Sequence, residues 1–327
     1  MFKTLAILSI AVLGGCSALI ETRASTREAD ALRDWPPLGQ FVDVGGGRQV
    51  HAFVTGQGPD LVLIHGASGN LRDFTFDFVD RVRNNYRVIV FDRPGLGYTD
   101  RVGDSFGGAF NTSAESPEQQ AAMLWSAADR LSVTNPIVLG HSYGGSVAMA
   151  WGLNHPASAL VIVSGATMPW PGKLGPSYTV LGSGLGGAVV PPFVTAFASQ
   201  ETINDAVRSV FAPNAAPDGY AQYVGPGLTL RRESLRANAR QVNSLRPHLV
   251  QMSARYPSLD LPIELIHGDA DTTVPIDVHA RPLDALLPNS ALNVLPGVGH
   301  MPHHVQPQTV VDAINRAAHR AGLRQEL

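Results

Sequence analysis

The segment that most constrains this chain is Gly140-His141-Ser142-Tyr143-Gly144, which follows the apolar run Ile137-Val138-Leu139 and precedes a helix-like stretch from Ser146 to Trp151. A G-x-S-x-G sequence between a strand and a helix describes a sharp turn that lifts one hydroxyl clear of the sheet, with glycines where side chains would collide. The pentapeptide therefore predicts a strand, a turn and a helix in that order, and makes Ser142 a candidate nucleophile. A plain Gly-Ser turn before an ordinary helix has the same local composition. What separates the two readings is whether the rest of the chain supplies partners for the serine.

A serine hydroxyl is a weak nucleophile at neutral pH. It needs a base, and the base needs a group that fixes its tautomer and stabilises the imidazolium. Both partners are present downstream. The run Ile263-Glu264-Leu265-Ile266 leads into His267-Gly268-Asp269-Ala270-Asp271, which puts Asp271 at the C-terminal end of a strand. The next strand-like run, Ala291 to Leu295, leads into Gly297-Val298-Gly299-His300, which puts His300 on the following loop. Asp269 is the rival acid, and it is read as a loop-structuring residue because Asp side chains bond nearby backbone amides in turns. His303 and His304 crowd the base. Without Cys or paired carboxylates at ligand spacing they read as surface or pocket-rim residues, and neither a metal nor a cofactor is expected. A tetrahedral intermediate also needs two preorganised N–H donors. Tyr143, the residue after the nucleophile, supplies one. Ala67, in the loop His65-Gly66-Ala67-Ser68-Gly69 after the strand-like run Leu61 to Ile64, is the candidate for the second.

With these pieces in order, the chain resembles a serine hydrolase of the α/β-hydrolase superfamily over residues 40–320. The resemblance rests on His65-Gly66-Ala67-Ser68-Gly69, Asp92-Arg93-Pro94-Gly95-Leu96-Gly97, Gly140 to Gly145, Gly268-Asp269-Ala270-Asp271 and Gly299-His300. It implies the order nucleophile, acid, histidine, and a mainly structural role for the Asp92–Gly97 segment at the floor of the site. It also disfavours the relatives that form an ester on Asp, since the nucleophile here is Ser.

The N-terminus carries a second signal. Lys3, the apolar run Leu5 to Leu13 and Leu13-Gly14-Gly15-Cys16 have the layout of a secretory signal. The ending resembles that of bacterial lipoproteins, in which the Cys is lipidated and becomes the first mature residue. Cys16 is the only cysteine, so it has no internal disulfide partner, and acylation gives it a role. The expectation is a signal over 1–15, a polar tether over 16–35 and a protein held at the cell envelope by lipid, with Ser17 in place of a retention aspartate pointing to the outer membrane.

Net charge is −3 and no long basic block is present, which argues against a nucleic-acid partner. Apolar residues make up 44% of the chain, and no internal period signals a repeat array. Strand-like runs at 41–44, 49–54, 61–65, 87–91, 137–141, 160–164, 263–267 and 291–295 alternate with helical stretches at 71–84, 144–154, 276–287 and 305–321. A further helix starts at Ser116, with Pro117 and Gln119 completing its start signal. The pattern predicts an α/β fold, a doubly wound and mainly parallel eight-stranded sheet with both faces covered. The core is expected over 36–166 and 258–327.

The alternation stops between them, and residues 167–257 are assigned to a helical cap. From Ser164 to Gln200 the only charged residue is Lys173. A surface this apolar suits an acyl chain, ordinary cap packing or a membrane. Gly182 to Gly187 fits G-x-G-x-x-G but does not open a strand-to-helix unit, so no dinucleotide site is read there. Arg231, Arg232, Arg236 and Arg240 are read as the solvated face of an amphipathic helix. Gly103 to Ser116 reads as a mobile loop near the site, and Asn111-Thr112-Ser113 as a glycosylation match without meaning in a bacterial lipoprotein. The expected reaction is hydrolysis of a small-molecule ester with an apolar acyl group. Iminopeptidase-like amide cleavage and carbon–carbon cleavage use the same triad, and a silent envelope-binding protein would use the same fold without it.

Overall fold

Runs of Val, Ile and Leu bounded by Gly, Pro and Asp become strands because a parallel sheet buried on both faces needs apolar side chains at consecutive positions. The computed structural model describes residues 2–325, with side chains from Ser17 onward, and contains one eight-stranded sheet. Its strands are β1 (Gln40–Gly45), β2 (Arg48–Thr55), β3 (Asp60–Ile64), β4 (Arg87–Phe91), β5 (Ile137–His141), β6 (Ala159–Val163), β7 (Ile263–Gly268) and β8 (Ser290–Leu295). They lie in the order β1-β2-β4-β3-β5-β6-β7-β8, and only β2 runs against the rest. The chain moves outward from β3 to β4 on one side, then crosses back to β5 on the other. The crevice that such a reversal opens beyond the carboxyl ends of β3 and β5 is where open α/β sheets hold their ligands.

Each face of the sheet is covered. Val62, Ile64, Val138 and Ile162 pack on one side against the buried residues of α2 (Pro117–Arg130) and α3 (Tyr143–Asn154), with Trp151 fully enclosed. Leu61, Leu63, Leu139 and Val161 pack on the other side against Phe74, Phe78 and the apolar stripe Val310, Ile314 and Ala317. The start of α2 has the expected reciprocal cap: Ser116 Oγ accepts from the Gln119 N–H at 3.1 Å, and Gln119 Oε1 accepts from the Ser116 N–H at 2.9 Å.

Three helical expectations are corrected. The stretch 71–84 divides into Arg72–Thr75 and Phe78–Val82, because the Tyr223 hydroxyl donates to the Thr75 carbonyl at 3.1 Å in place of a helical N–H. The stretch 276–287 shortens to Ala280–Leu286, and 305–321 divides before Pro307, whose ring nitrogen has no proton to give. Between β6 and β7 no strand intervenes. That interval holds α4 (Pro176–Leu181), α5 (Gly184–Phe197), α6 (Gln200–Phe211), two short turns at Tyr220–Tyr223 and Pro226–Thr229, and the long α7 (Arg232–Ser253).

The expected polar tether is a helix. α1 spans Phe2–Asp34, and from Ser17 onward it lies against the inserted helices, with Ala24 and Ala31 buried. Arg27 donates to the Ala198 carbonyl at 2.8 Å and Arg23 to the Ala196 carbonyl at 2.7 Å, while Arg232 binds Glu28 at 2.7 Å and also Glu21. Charged residues at helical spacing look the same on a free linker and on a docked helix. Cys16 lies outside the residues whose side chains are described.

The arginine expectation is also corrected. Arg236 and Arg240 of α7 are buried rather than solvated. Arg240 donates to the carbonyls of Gly108 (2.8 Å) and Ala109 (3.1 Å), and so holds the Gly103–Ser116 loop that the sequence suggests is mobile.

Two core histidines set an acid limit on the fold. Burial pushes His65 and His279 down to about 4, helped by the Arg93 charge at His65 and by His267 at His279. Each folded-state value lies below the unfolded one, so the stability they confer is complete above about pH 6.5 and is lost as pH falls towards 4. The shift is worth on the order of 3 kcal/mol per residue. Urea midpoints should therefore fall steeply from pH 6.5 to 4. His279→Asn keeps an acceptor for the Met168 N–H, which now donates to His279 Nδ1 at 3.2 Å, and should make that slope shallower by about one proton.

Candidate active site

Ser142 stands where β5 ends and α3 begins, at φ 55° and ψ −120°. This is a strained backbone for a residue with a side chain. Its neighbours explain how the turn is tolerated. A Cβ on Gly140 would collide with the Gly144 carbonyl, and a Cβ on Gly144 would collide with the Ile64 carbonyl at the end of β3. The glycines let α3 leave the strand while pressed against β3, which aims the Ser142 side chain into the crevice.

There it meets the two residues expected from the sequence. Ser142 Oγ lies 2.9 Å from His300 Nε2, and His300 Nδ1 lies 2.7 Å from Asp271 Oδ2. Asp271 Oδ1 accepts the N–H groups of Thr273 and Val274, both at 2.9 Å. Burial alone would raise the Asp271 carboxyl, but bonding to His267 and His300 and the Val274 N–H holds it well below the usual carboxylate range. It is therefore an anion at neutral pH, and His300 Nδ1 carries the proton between them. Asp269 instead accepts the Gly297 N–H at 2.7 Å and shapes the loop.

The N–H groups of Ala67 and Tyr143 have no acceptor among the described residues. A Cβ on Gly66 would fall 2.9 Å from Ser142 Cβ, so the Gly66–Ala67 peptide runs directly beside the nucleophile. Its orientation is fixed from behind. His65 Nδ1 donates to the Gly66 carbonyl at 2.8 Å, and Arg93 Nη2 donates to the same oxygen at 3.2 Å. In a trans peptide the N–H points opposite to the C=O, so two donors on the Gly66 oxygen turn the Ala67 N–H towards the crevice. The Arg93 guanidinium also lies 4.2 Å from the centre of the Tyr143 ring, and its Nη1 bonds Gln120 and Gln241 at 2.9 and 3.1 Å. Burial pushes Arg93 down to about 10, which leaves it a cation at neutral pH. One buried charge thus braces both candidate oxyanion donors. Asp92 anchors the segment from beneath, accepting from His51 (2.7 Å), Leu71 N–H (2.7 Å) and Tyr98 N–H (2.8 Å).

The expectation for His303 and His304 is corrected. Both side chains are buried, and both donate to Asp73, His303 at 3.2 Å and His304 at 2.9 Å. The Tyr220 hydroxyl adds a third bond to Asp73 at 2.7 Å. Burial alone would raise Asp73, but these imidazoles hold it well below the usual range. Donor atoms of Asp73, His303 and His304 fall within 4.8 Å of one another, the spacing of a metal site, and each imidazole is hydrogen-bonded to the Asp73 carboxylate. Packed beside them, His141 Nε2 donates to the His300 carbonyl at 2.8 Å and fixes the backbone that carries the His300 imidazole. Asp73, Tyr220 and His141 have no signature in the sequence. The doublet His303-His304 was visible, but its partner lies 230 residues away.

Ser142 keeps only 7% of its surface exposed. One inserted helix reaches the loop beside it: Asn238 of α7 accepts the Ser68 N–H at 2.7 Å and returns a bond to Ser68 Oγ at 2.9 Å.

Residues 61–313 match the Alpha/beta hydrolase family. The chain is 32% identical over 257 residues to the "Magnesium-chelatase 30 kDa subunit" of Rhodobacter capsulatus, covering 76% of this chain and 82% of that protein. It is 27% identical over 272 residues to the "Pimeloyl-[acyl-carrier protein] methyl ester esterase" of Vibrio vulnificus, covering 80% and 94%. Among solved structures, an esterase from Rhodococcus sp. ECU1013 superposes with a TM-score of 0.65 at 21% identity, over 85% of this chain and 98% of that one. The matched region contains the strands from β3 to β8, Ala67, Ser142, Asp271 and His300, and the chain belongs to the alpha/beta hydrolase family.

Proposed function

We propose that this protein hydrolyses carboxylic esters of apolar acyl groups, with Ser142 as nucleophile, His300 as base and then acid, and Asp271 as the anion that orients His300. The reading is carried by one observation: a hydrogen-bonded line Asp271, His300, Ser142 ends beside two backbone N–H groups that have no other acceptor. In this mechanism His300 Nε2 takes the Ser142 proton as Oγ attacks the carbonyl carbon. The Ala67 and Tyr143 N–H groups hold the oxyanion. His300 then gives its proton to the leaving alcohol, and water repeats the sequence on the acyl-enzyme. The name of the Vibrio vulnificus relative, a methyl ester esterase, favours an ester over an amide.

Residues 167–257 act as a lid in this reading, and the inward-facing residues of their uncharged first part, not the outward stripe of α5, provide an acyl-binding wall. The chain is further proposed to be held at the bacterial cell envelope by a lipid on Cys16, with the outer membrane as the destination.

Hydrolysis of p-nitrophenyl esters from acetate to palmitate should fall by about 10⁴-fold or more in Ser142→Ala. Equal turnover in the mutant would rule out the serine mechanism. Labelling of Ser142 by a fluorophosphonate without any ester turnover would move the substrate class to amides or carbon–carbon bonds.

Arg93→Lys keeps a charge but cannot reach Gln120, Gln241 and Gly66 together. Because it loosens an oxyanion donor without removing it, kcat should fall about 10–100-fold with KM little changed. A matching rise in KM would place Arg93 in substrate binding instead. Growth with an alkyne analogue of palmitate should label the wild-type chain and leave Cys16→Ser unlabelled, whereas labelling of both would move the acyl chain elsewhere.

A further inference from the structure

One face of α5 has no covering element among the described residues. Leu185, Val189, Phe193 and Phe197 are 75, 67, 57 and 41% exposed. Their spacing of four places them in one stripe along the helix. Val180, at the end of α4, adds to it. The opposite face holds Gly187, Pro191, Thr195 and Ala196, which are buried, so the stripe is not an inward face left open by loose packing. No charged residue occurs anywhere in α5. Soluble surfaces seldom present an uninterrupted line of large apolar side chains, and such a line marks a surface for a partner or a membrane.

The position of α1 identifies the occupant. Arg23 lies over the Phe197 ring at 5.0 Å from its centre, and Phe193 and Phe197 pack together at 4.9 Å. One turn before Arg23, on the same face of α1, Leu19 is exposed and extends the patch towards the N-terminus. From Arg23 back to Cys16 is about 10 Å of helix, and the sequence beyond it is the apolar run Leu5 to Leu13. The stripe is therefore continuous with the one segment of the chain whose composition seeks lipid. No charge interrupts the stripe within α5, and Arg23 borders it at Phe197, whereas a protein interface carries a polar rim. Among the described residues no helix is long and apolar enough to cross a membrane, so contact lies in the plane of the interface. α5 packs on α7, and α7 holds the Ser68 loop beside Ser142. The stripe thus sits one helical layer outward from the candidate site, at the same end of the sheet.

We infer that the Leu185–Val189–Phe193–Phe197 face of α5 rests on a phospholipid bilayer, where it orients the inserted helices, and with them the opening to Ser142, towards the lipid. The inference needs one lipid-seeking group at the N-terminal end, either the apolar run Leu5 to Leu13 or the acyl chains that replace it on Cys16, and it stands whether or not the ester reading does.

The test uses the full chain with Cys16→Ser, so that one new cysteine carries an environment-sensitive nitrobenzoxadiazole dye. Val189→Cys places the dye on the stripe, and Asp129→Cys places it at the exposed end of α2, before β5 and hence at the far end of the sheet. With vesicles of phosphatidylethanolamine and phosphatidylglycerol, the dye at 189 should brighten, shift to the blue and be quenched by spin-labelled acyl chains. The dye at 129 should do none of these. Val189→Asp with Phe193→Asp, both on the solvent side of a folded helix, should weaken vesicle binding on the order of tenfold and leave turnover of a soluble short-chain ester unchanged. Three results would overturn the inference: a dye at 189 as open to aqueous iodide as the dye at 129, a chain that does not bind vesicles, or a blue shift at 189 without quenching by lipid-borne spin labels. The last of these would assign the face to a second copy of this chain.

Discussion

The candidate site of this molecule depends on how closely the chain can pass itself at the ends of β3 and β5. Gly144 touches the Ile64 carbonyl and Gly66 lies against Ser142, and a methyl group at either place would collide. That contact brings the Ser142 hydroxyl, at the end of one strand, and the Ala67 N–H, beyond the end of its neighbour, close to the same point. The strained backbone of Ser142, at φ 55°, is the cost of the approach. It is met by a parallel sheet whose inner strands are buried on both faces and cannot relax.

A close approach sets position but not direction, and direction comes from buried charge. Arg93 stacks under Tyr143 and binds the Gly66 oxygen, while Asp92, one residue earlier, gathers His51 and two backbone amides. Two adjacent, fully buried charged residues would be a liability in an apolar core. Here both are well supplied with partners, and one of the Arg93 bonds goes to the Gly66 carbonyl beside Ser142. The Asp73 cluster does the same for His300: His303 packs against His141, and His141 holds the His300 carbonyl.

The parts of this arrangement visible in the sequence are those that repeat or that lie close together in the chain. Strands showed as apolar runs because both faces of the sheet are buried, and β4 and β5 begin and end where the runs do. Ser142, Asp271 and His300 were legible because each sits just beyond such a run. The Asp73 cluster was not, since its bonds join residues about 150 and 230 positions apart. Nor could arginine spacing separate a wet face from a buried one. Arg236 and Arg240 look alike in sequence to arginines on a solvated helix, and only the carbonyls of Gly187, Gly108 and Ala109, brought in from two other segments, make them interior.

The same ambiguity hid the role of α1. As a sequence, Ser17 to Asp34 alternates acids and arginines as a free linker would. As a structure, it is clamped to the inserted helices by carbonyl bonds from Arg23 and Arg27 and by the ion pair of Arg232 with Glu28, around the buried Ala24 and Ala31. Single exposed ion pairs contribute little. These contacts act together on one rigid helix, and their partners lie on α5 and α7. α7 in turn holds the Ser68 loop through Asn238 and the Gly103–Ser116 loop through Arg240. The N-terminal helix, α5, α7 and the Ser68 and Gly103–Ser116 loops are therefore joined by one run of bonds, and the end of α1 is tied to the core as well, where the Tyr98 hydroxyl donates to the Trp35 carbonyl.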